Sequence, residues 1–191
     1  MTADPIQVDW VDLQLVPGLR EAGARGGRLG MTNLPGDRDP RPLGLGLAPR
    51  ALDDDALQLL QLGVDALLLL VEDHELEHSE VPHMAEALAG QGIELLRFPI
   101  PDFGVTEDAN GLGEALAAVA SRVRDGQTVV VACRAGRGRT GTVVGCLLRD
   151  GGLDADTAIA LTRSTRPGTI EREAQERFVR EWDGPAGEAG R

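Results

Sequence analysis

Nine consecutive residues, Cys133-Arg134-Ala135-Gly136-Arg137-Gly138-Arg139-Thr140-Gly141, concentrate the reactive chemistry of this chain. They follow the β-branched run Thr128-Val129-Val130-Val131-Ala132 and lead into an apolar stretch with helical spacing. Strand, turn and helix in that order would set a thiol, a ring of backbone N–H groups and a guanidinium around one point. A phosphate monoester is a dianion that repels nucleophiles, so its cleavage needs charge neutralisation and a strong attacking group together. Cys133 is the expected nucleophile, because thiols at helix N-termini beside cations ionise more readily than free cysteine. Gly136 and Gly138 allow the backbone to turn its N–H groups inward. Arg134, Ala135, Gly136, Arg137, Gly138 and Arg139 then form the expected phosphate cradle, Arg139 gripping two oxygens with its planar fork. Thr140 is placed to hydrogen-bond the sulfur as it leaves in a second half-reaction.

The departing alcohol or phenol needs a proton. Asp102 is the expected donor, in the loop Pro101-Asp102-Phe103-Gly104 just after an expected strand. Adjacent parallel strands carry their C-terminal ends at one sheet edge, so this loop and the one after Ala132 can meet. Asp102 would act first as general acid and then as general base for the hydrolytic water. Glu107 and Asp108 share the loop and are rivals. The chemistry requires no metal and no cofactor. One competing motif, His74-Glu75-Leu76-Glu77-His78, has the zinc-protease spacing, with His83 nearby. Pro82 disfavours a continuous ligand-bearing helix there, and Glu72, Asp73, Glu75, Glu77 and Glu80 read as a solvated face between a strand and the next helix. Cys146, among Val143, Val144, Leu147 and Leu148, reads as core.

The elements that must position these residues alternate. Arg28–Thr32 reads as a strand, followed by a turn-rich segment from Asn33 to Pro49, in and just beyond which Arg38, Arg41 and Arg50 read first as exposed solubilising arginines and second as contacts for a phosphorylated partner. Ala51–Leu62 is helical, with Asp53 to Asp55 near its start, where carboxylates suit the dipole. Val64–Val71 is an apolar run of buried-strand length. A helix over Pro82–Ala89, a strand over Ile93–Pro99, a helix over Leu112–Val123 and a strand over Val129–Ala132 follow. Gly138–Leu148, Ala155–Thr165 and Glu171–Trp182 close the chain as helices. The fold class is therefore α/β, a mainly parallel central sheet flanked by helices on both faces. Residues 1–26 read as an N-terminal extension without strong periodicity, 27–183 as the catalytic domain and 184–191 as a flexible tail.

At 191 residues, 42% hydrophobic and 26% charged, the chain is of single-domain size and globular in composition. A net charge of −12 argues against nucleic acid as a partner and against anionic membrane, while leaving room for a small cationic pocket. No apolar run reaches membrane-spanning length, so no integral membrane protein is expected. Two cysteines are too few for a disulfide framework, which points to a cytoplasmic setting. All 19 basic residues are arginine, so an arginine here weighs less than usual as a functional signal. The pattern fixes no oligomeric state.

On these residues the chain resembles the cysteine-based protein phosphatases, compact dual-specificity group, most of all the kinase-associated phosphatases and their bacterial relatives. Four segments carry the likeness. Cys133 to Gly141 matches the signature loop, and Phe98-Pro99-Ile100-Pro101-Asp102-Phe103 the general-acid loop. Arg166-Pro167-Gly168-Thr169-Ile170 with Gln175 is similar to the segment where relatives keep a glutamine near the hydrolytic water. Gly27 to Thr32 with Leu34-Pro35-Gly36 is similar to the group's N-terminal strand and loop. The resemblance implies a dual-specificity-phosphatase-like fold, a phosphocysteine intermediate, a phosphorylated protein as substrate, and Gln175 as a water-positioning residue. Where the family usually has histidine before the nucleophile, this chain has Ala132, which bears on the thiolate and leaves a weakly catalytic phospho-binding protein as one alternative. Arg134 and Arg137 resemble the basic loop positions of a phosphoinositide-cleaving relative. A polyanionic phosphate, an inositol phosphate or phosphoinositide, is thus a second alternative substrate.

Overall fold

The computed structural model describes residues 5–37 and 51–184. The expectations for Arg38, Arg41, Arg50 and the tail beyond Gly184 lie outside the described residues. Five strands form one sheet: β1 (Asp9–Trp10), β2 (Arg28–Thr32), β3 (Ala66–Leu69), β4 (Glu94–Arg97) and β5 (Thr128–Ala132), in the order β1-β2-β5-β3-β4. β2, β5, β3 and β4 run parallel, and only β1 is antiparallel to its neighbour. The helices are α1 (Arg20–Ala24), α2 (Leu52–Gln61), α3 (Asp73–His78), α4 (Met84–Gly90), α5 (Ala109–Arg124), α6 (Gly138–Asp150), α7 (Ala155–Thr165) and α8 (Glu173–Glu181).

The central strands explain the layering. Every residue of β3 and β5 is buried, odd and even positions alike. Side chains alternate between sheet faces, so both faces must be covered. Local chemistry starts the helices where they begin. Asp108 and Asp154 accept hydrogen bonds from Gly111 N and Thr157 N at 2.8 and 3.0 Å, capping α5 and α7. Asp53, Asp54 and Asp55 sit in the first turn of α2, and Asp55, fully buried, also accepts from Gly36 N at 2.7 Å.

Because β5, β3 and β4 are parallel, their C-terminal ends share one edge. β4 is not adjacent to β5, contrary to the sequence expectation; β3 lies between them. The loops after β4 and β5 still converge, bridged by the chain that continues β3. Leu70 N donates to Ala132 O, and Ile100 N donates to Leu70 O, each at 2.9 Å. Residues 5–26 contribute β1 and α1, and Ile6, Val11, Leu13, Val16, Leu19 and Ala22 join the core. Arg166 holds Asp9 of β1 at 2.6 Å while its other terminal nitrogen donates to Ala135 O at 3.4 Å. The N-terminal strand is thereby tied to the loop that follows Cys133.

Candidate active site

β5 ends at Ala132, and the next residue, Cys133, is 2% exposed at the floor of a cavity of about 120 Å³. The loop that follows is held from outside by its carbonyls. Leu34 N donates to Arg134 O at 3.1 Å, Arg166 to Ala135 O, and Gly141 N to Arg137 O at 2.8 Å. With those carbonyls turned away, the N–H groups of Ala135, Gly136 and Arg137 donate to no atom among the described residues. They continue into the first turn of α6, whose N–H groups have no intrahelical acceptor. Gly136 has φ of 67°, and a Cβ there would run into the carbonyl of Thr32. Only glycine permits this turn and this approach together. The result is a cradle of amide hydrogens at a helix N-terminus, the arrangement that binds anions.

Arg139, 2% exposed, returns from α6 to the same centre. Its Nη1 and Nη2 donate to Glu75 Oε2 and Oε1 at 2.6 and 2.8 Å, a bidentate pair, and Nη1 also donates to Ile100 O at 3.0 Å. Nη2 lies 2.9 Å from Asp102 Oδ1. Burial alone would lower the guanidinium's pKa, but Glu75's hydrogen bonds and the charges of Cys133, Glu75 and Asp102 hold it above the ordinary arginine value. For Glu75, burial pushes the carboxyl up, yet the bonds from Arg139 and Glu72 N and the charges of Arg139 and His74 hold it below the usual carboxylate range.

Cys133, Arg134, Ala135, Arg137, Gly138, Arg139, Asp102 and Gln175 line one pocket. Thr140 lies just behind it, fully buried, its hydroxyl without a hydrogen-bond partner among the described residues. Of the two rivals to Asp102, Asp108 is committed to capping α5, and neither it nor Glu107 lines the pocket. Gln175 is 1% exposed, with its carboxamide bonded at both ends: Oε1 accepts from Arg172 N at 3.2 Å and Nε2 donates to Gly104 O at 3.4 Å. Arg134 is largely buried and faces Asp37 at 3.7 Å, while Arg137 has no carboxylate partner among the described residues. Cys146 is buried in α6, and burial together with Asp150 pushes its thiol well above the ordinary value.

Sequence reasoning misplaced one residue and missed two. Glu75 does not lie on a solvated face: it is 6% exposed on α3, and its carboxylate accepts from Glu72 N at 2.9 Å as well as from Arg139. Nothing local separates Glu75 from Glu72, Asp73 or Glu77, because its partner lies far along the chain. Phe103 and Glu171 also line the pocket, and no sequence spacing had marked either.

The DSP-PTPase phosphatase domain of Swiss Army Knife proteins matches residues 43–179, well over half of the chain. Cyclin-dependent kinase inhibitor 3 of Rattus norvegicus is 26% identical over 183 residues, which cover 93% of this chain and 79% of the relative. A crystal structure of kinase associated phosphatase, with its catalytic cysteine replaced by serine, superposes with a TM-score of 0.79 at 22% identity, covering 93% of this chain and 94% of the other. The active form of Tk-PTP has a TM-score of 0.63 at 31% identity, covering 83% and 92%.

Proposed function

The chain belongs to the DSP-PTPase phosphatase family, hydrolases of protein tyrosine and dual-specificity type, and on that premise we propose that it works through a cysteinyl-phosphate with Cys133 as nucleophile. The thiolate of Cys133 attacks phosphorus and forms the S–P bond as the P–O bond of the ester breaks. Asp102 gives its proton to the departing oxygen. Water then attacks phosphorus, Asp102 takes its proton, the S–P bond breaks, and inorganic phosphate leaves. Thr140, with an unpartnered buried hydroxyl, supports the returning thiolate.

Arg139 explains how one guanidinium serves both a carboxylate and a phosphate. It has five N–H donors. Glu75 and Ile100 O take three, leaving Nε and the Nη2 donor that faces Asp102. A phosphoryl group gripped by Nε and Nη2 takes over Asp102's contact and leaves that carboxyl facing the ester oxygen. Ionised Glu75 contributes no proton and keeps the fork in plane.

A single phosphate fits this charge balance better than a polyphosphorylated headgroup. Arg134 already faces Asp37, and Arg139 faces two carboxylates, so Arg137 is the loop cation left over. A phosphorylated protein is the substrate we assign, with residues 27–183 carrying the site residues, residues 5–26 completing their sheet and core, and the cytoplasm as the setting, in keeping with two free cysteines. Among the described residues no helix is long and apolar enough to cross a membrane.

The carrying observation is that Cys133 and Arg139, from the loop between β5 and α6 and the first turn of α6, line one pocket with Asp102, from the separate loop after β4. Acid-quenching the protein during turnover of an aryl phosphate and mapping the modified peptide is the test. Phosphate on the peptide containing Cys133, lost in Cys133→Ser, is expected. Phosphate on any other residue, or turnover surviving in Cys133→Ser, overturns the mechanism.

A further inference from the structure

Phe103 sits in the acid loop with φ of 58°, a backbone region that bulky residues avoid. Gly104 N closes the turn on Pro101 O at 2.9 Å, and Asp102 Oδ1 accepts from Phe103 N at 3.0 Å. Glycine or asparagine is the ordinary occupant of such a position. Packing does not account for phenylalanine, since the residue is 57% exposed. Its ring faces a cation: the guanidinium carbon of Arg172 lies 4.8 Å from the ring centroid. Arg172 has no carboxylate partner among the described residues, so the phenyl face is its neighbour of note.

Arg172 and Gln175 occupy the start of α8, where Gln175 Oε1 caps Arg172 N. The same glutamine donates to Gly104 O at 3.4 Å, one residue past the phenyl ring. Further along α8, Val179 is fully buried. A helix anchored in the core thus reaches the acid loop at two successive residues. We propose that the N-terminus of α8, through Arg172 and Gln175, is the element that positions the Asp102 loop over Cys133. Arg172 is then a positioning residue, and Gln175 works in the first half-reaction as a clamp on the loop. This rests on Asp102 being the general acid.

The experiment is steady-state kinetics of the full chain on aryl phosphates spanning good to poor leaving groups. Asp102→Ala should lose about 100-fold or more on the poorest leaving group and little on the best, since only a poor one needs the proton. Arg172→Ala should show the same slope at smaller size, about 10-fold on the poorest and under about 3-fold on the best, with KM little changed. Combined with Asp102→Ala, it should add nothing. Phe103→Gly removes the ring and the backbone strain together, so it should share the leaving-group-dependent loss without a lower melting temperature. In rapid-mixing experiments Gln175→Ala should slow the burst itself. Equal loss for Arg172→Ala on every substrate, full additivity with Asp102→Ala, or an undiminished burst in Gln175→Ala overturns the positioning role. A flat leaving-group profile for Asp102→Ala overturns the acid assignment and this proposal with it. A steep one beside a flat Arg172→Ala profile overturns only the part given to α8.

Discussion

Arg139 is buried with two carboxylates around it, and Glu75 is the one that fixes its plane. Removing one member of a buried pair leaves the other charged and unpartnered, so Glu75→Ala should cost about 3–5 kcal/mol of stability. Glu75→Gln keeps the shape and loses the charge. It should lower kcat/KM by about 10-fold because the guanidinium is less firmly oriented. Denaturation curves and kinetics on one substrate check both. Acid stability gives a separate reading. Glu75's carboxyl is held below its ordinary value of 4.5, so its contribution is fully present above that value and is lost as pH falls through the lower folded value. The stability of the wild type should therefore fall more steeply below about pH 4.5 than that of Glu75→Gln. Cys133, Arg139 and Asp102 were legible in the sequence because local context announces each one: a strand end, a helix start, a proline-flanked loop. Glu75 was not, since a carboxylate becomes a buried partner only when a distant arginine is folded against it.

At the scale of elements, the turn between β5 and α6 depends on one backbone conformation. Gly136 has φ of 67° and lies hard against the carbonyl of Thr32, so alanine there is strained in two ways. Gly136→Ala should lower the melting temperature and weaken vanadate binding by at least about 10-fold, because the N–H groups of the cradle rotate out of register. Unchanged vanadate affinity would show that the anion site tolerates a different turn. Strands β2 to β5 and helices α5 to α8 fall close to where apolar runs, caps and glycines placed them. α3 had no such signal: it spans six residues, too few to display a helical stripe, and its start is capped by Glu75 reaching back to Glu72 N. β1 was hidden for a similar reason, being two residues long and held by pairing with β2.

For the whole molecule the governing number is a net charge of −12 around a small pocket that carries Arg134, Arg137 and Arg139. Beyond the pocket an approaching anionic peptide meets a repulsive field, and a basic one an attractive field. Phosphopeptides with basic flanking residues should therefore have higher kcat/KM than matched acidic ones at low salt. The difference should shrink as ionic strength rises past about 0.1 M, where the screening length is about 10 Å. Matched peptides assayed at two salt concentrations check this, and a preference that ignores salt would place the selectivity in direct contacts instead.

The sequence by itself determined where Cys133 and Arg139 fall, at a strand end and a helix start, the glycine-permitted turn between them and the alternation that makes the sheet mainly parallel. Each of these is encoded in neighbouring residues, where local sterics and periodicity act alone. Tertiary structure decided that β3 lies between the strands that lead to Cys133 and to Asp102, that Glu75 pairs with Arg139, that Asp37 faces Arg134 and that α8 reaches the Asp102 loop. Those are pairings between groups far apart in the chain, and a charge or an amide acquires its partner only when the core has packed and excluded water.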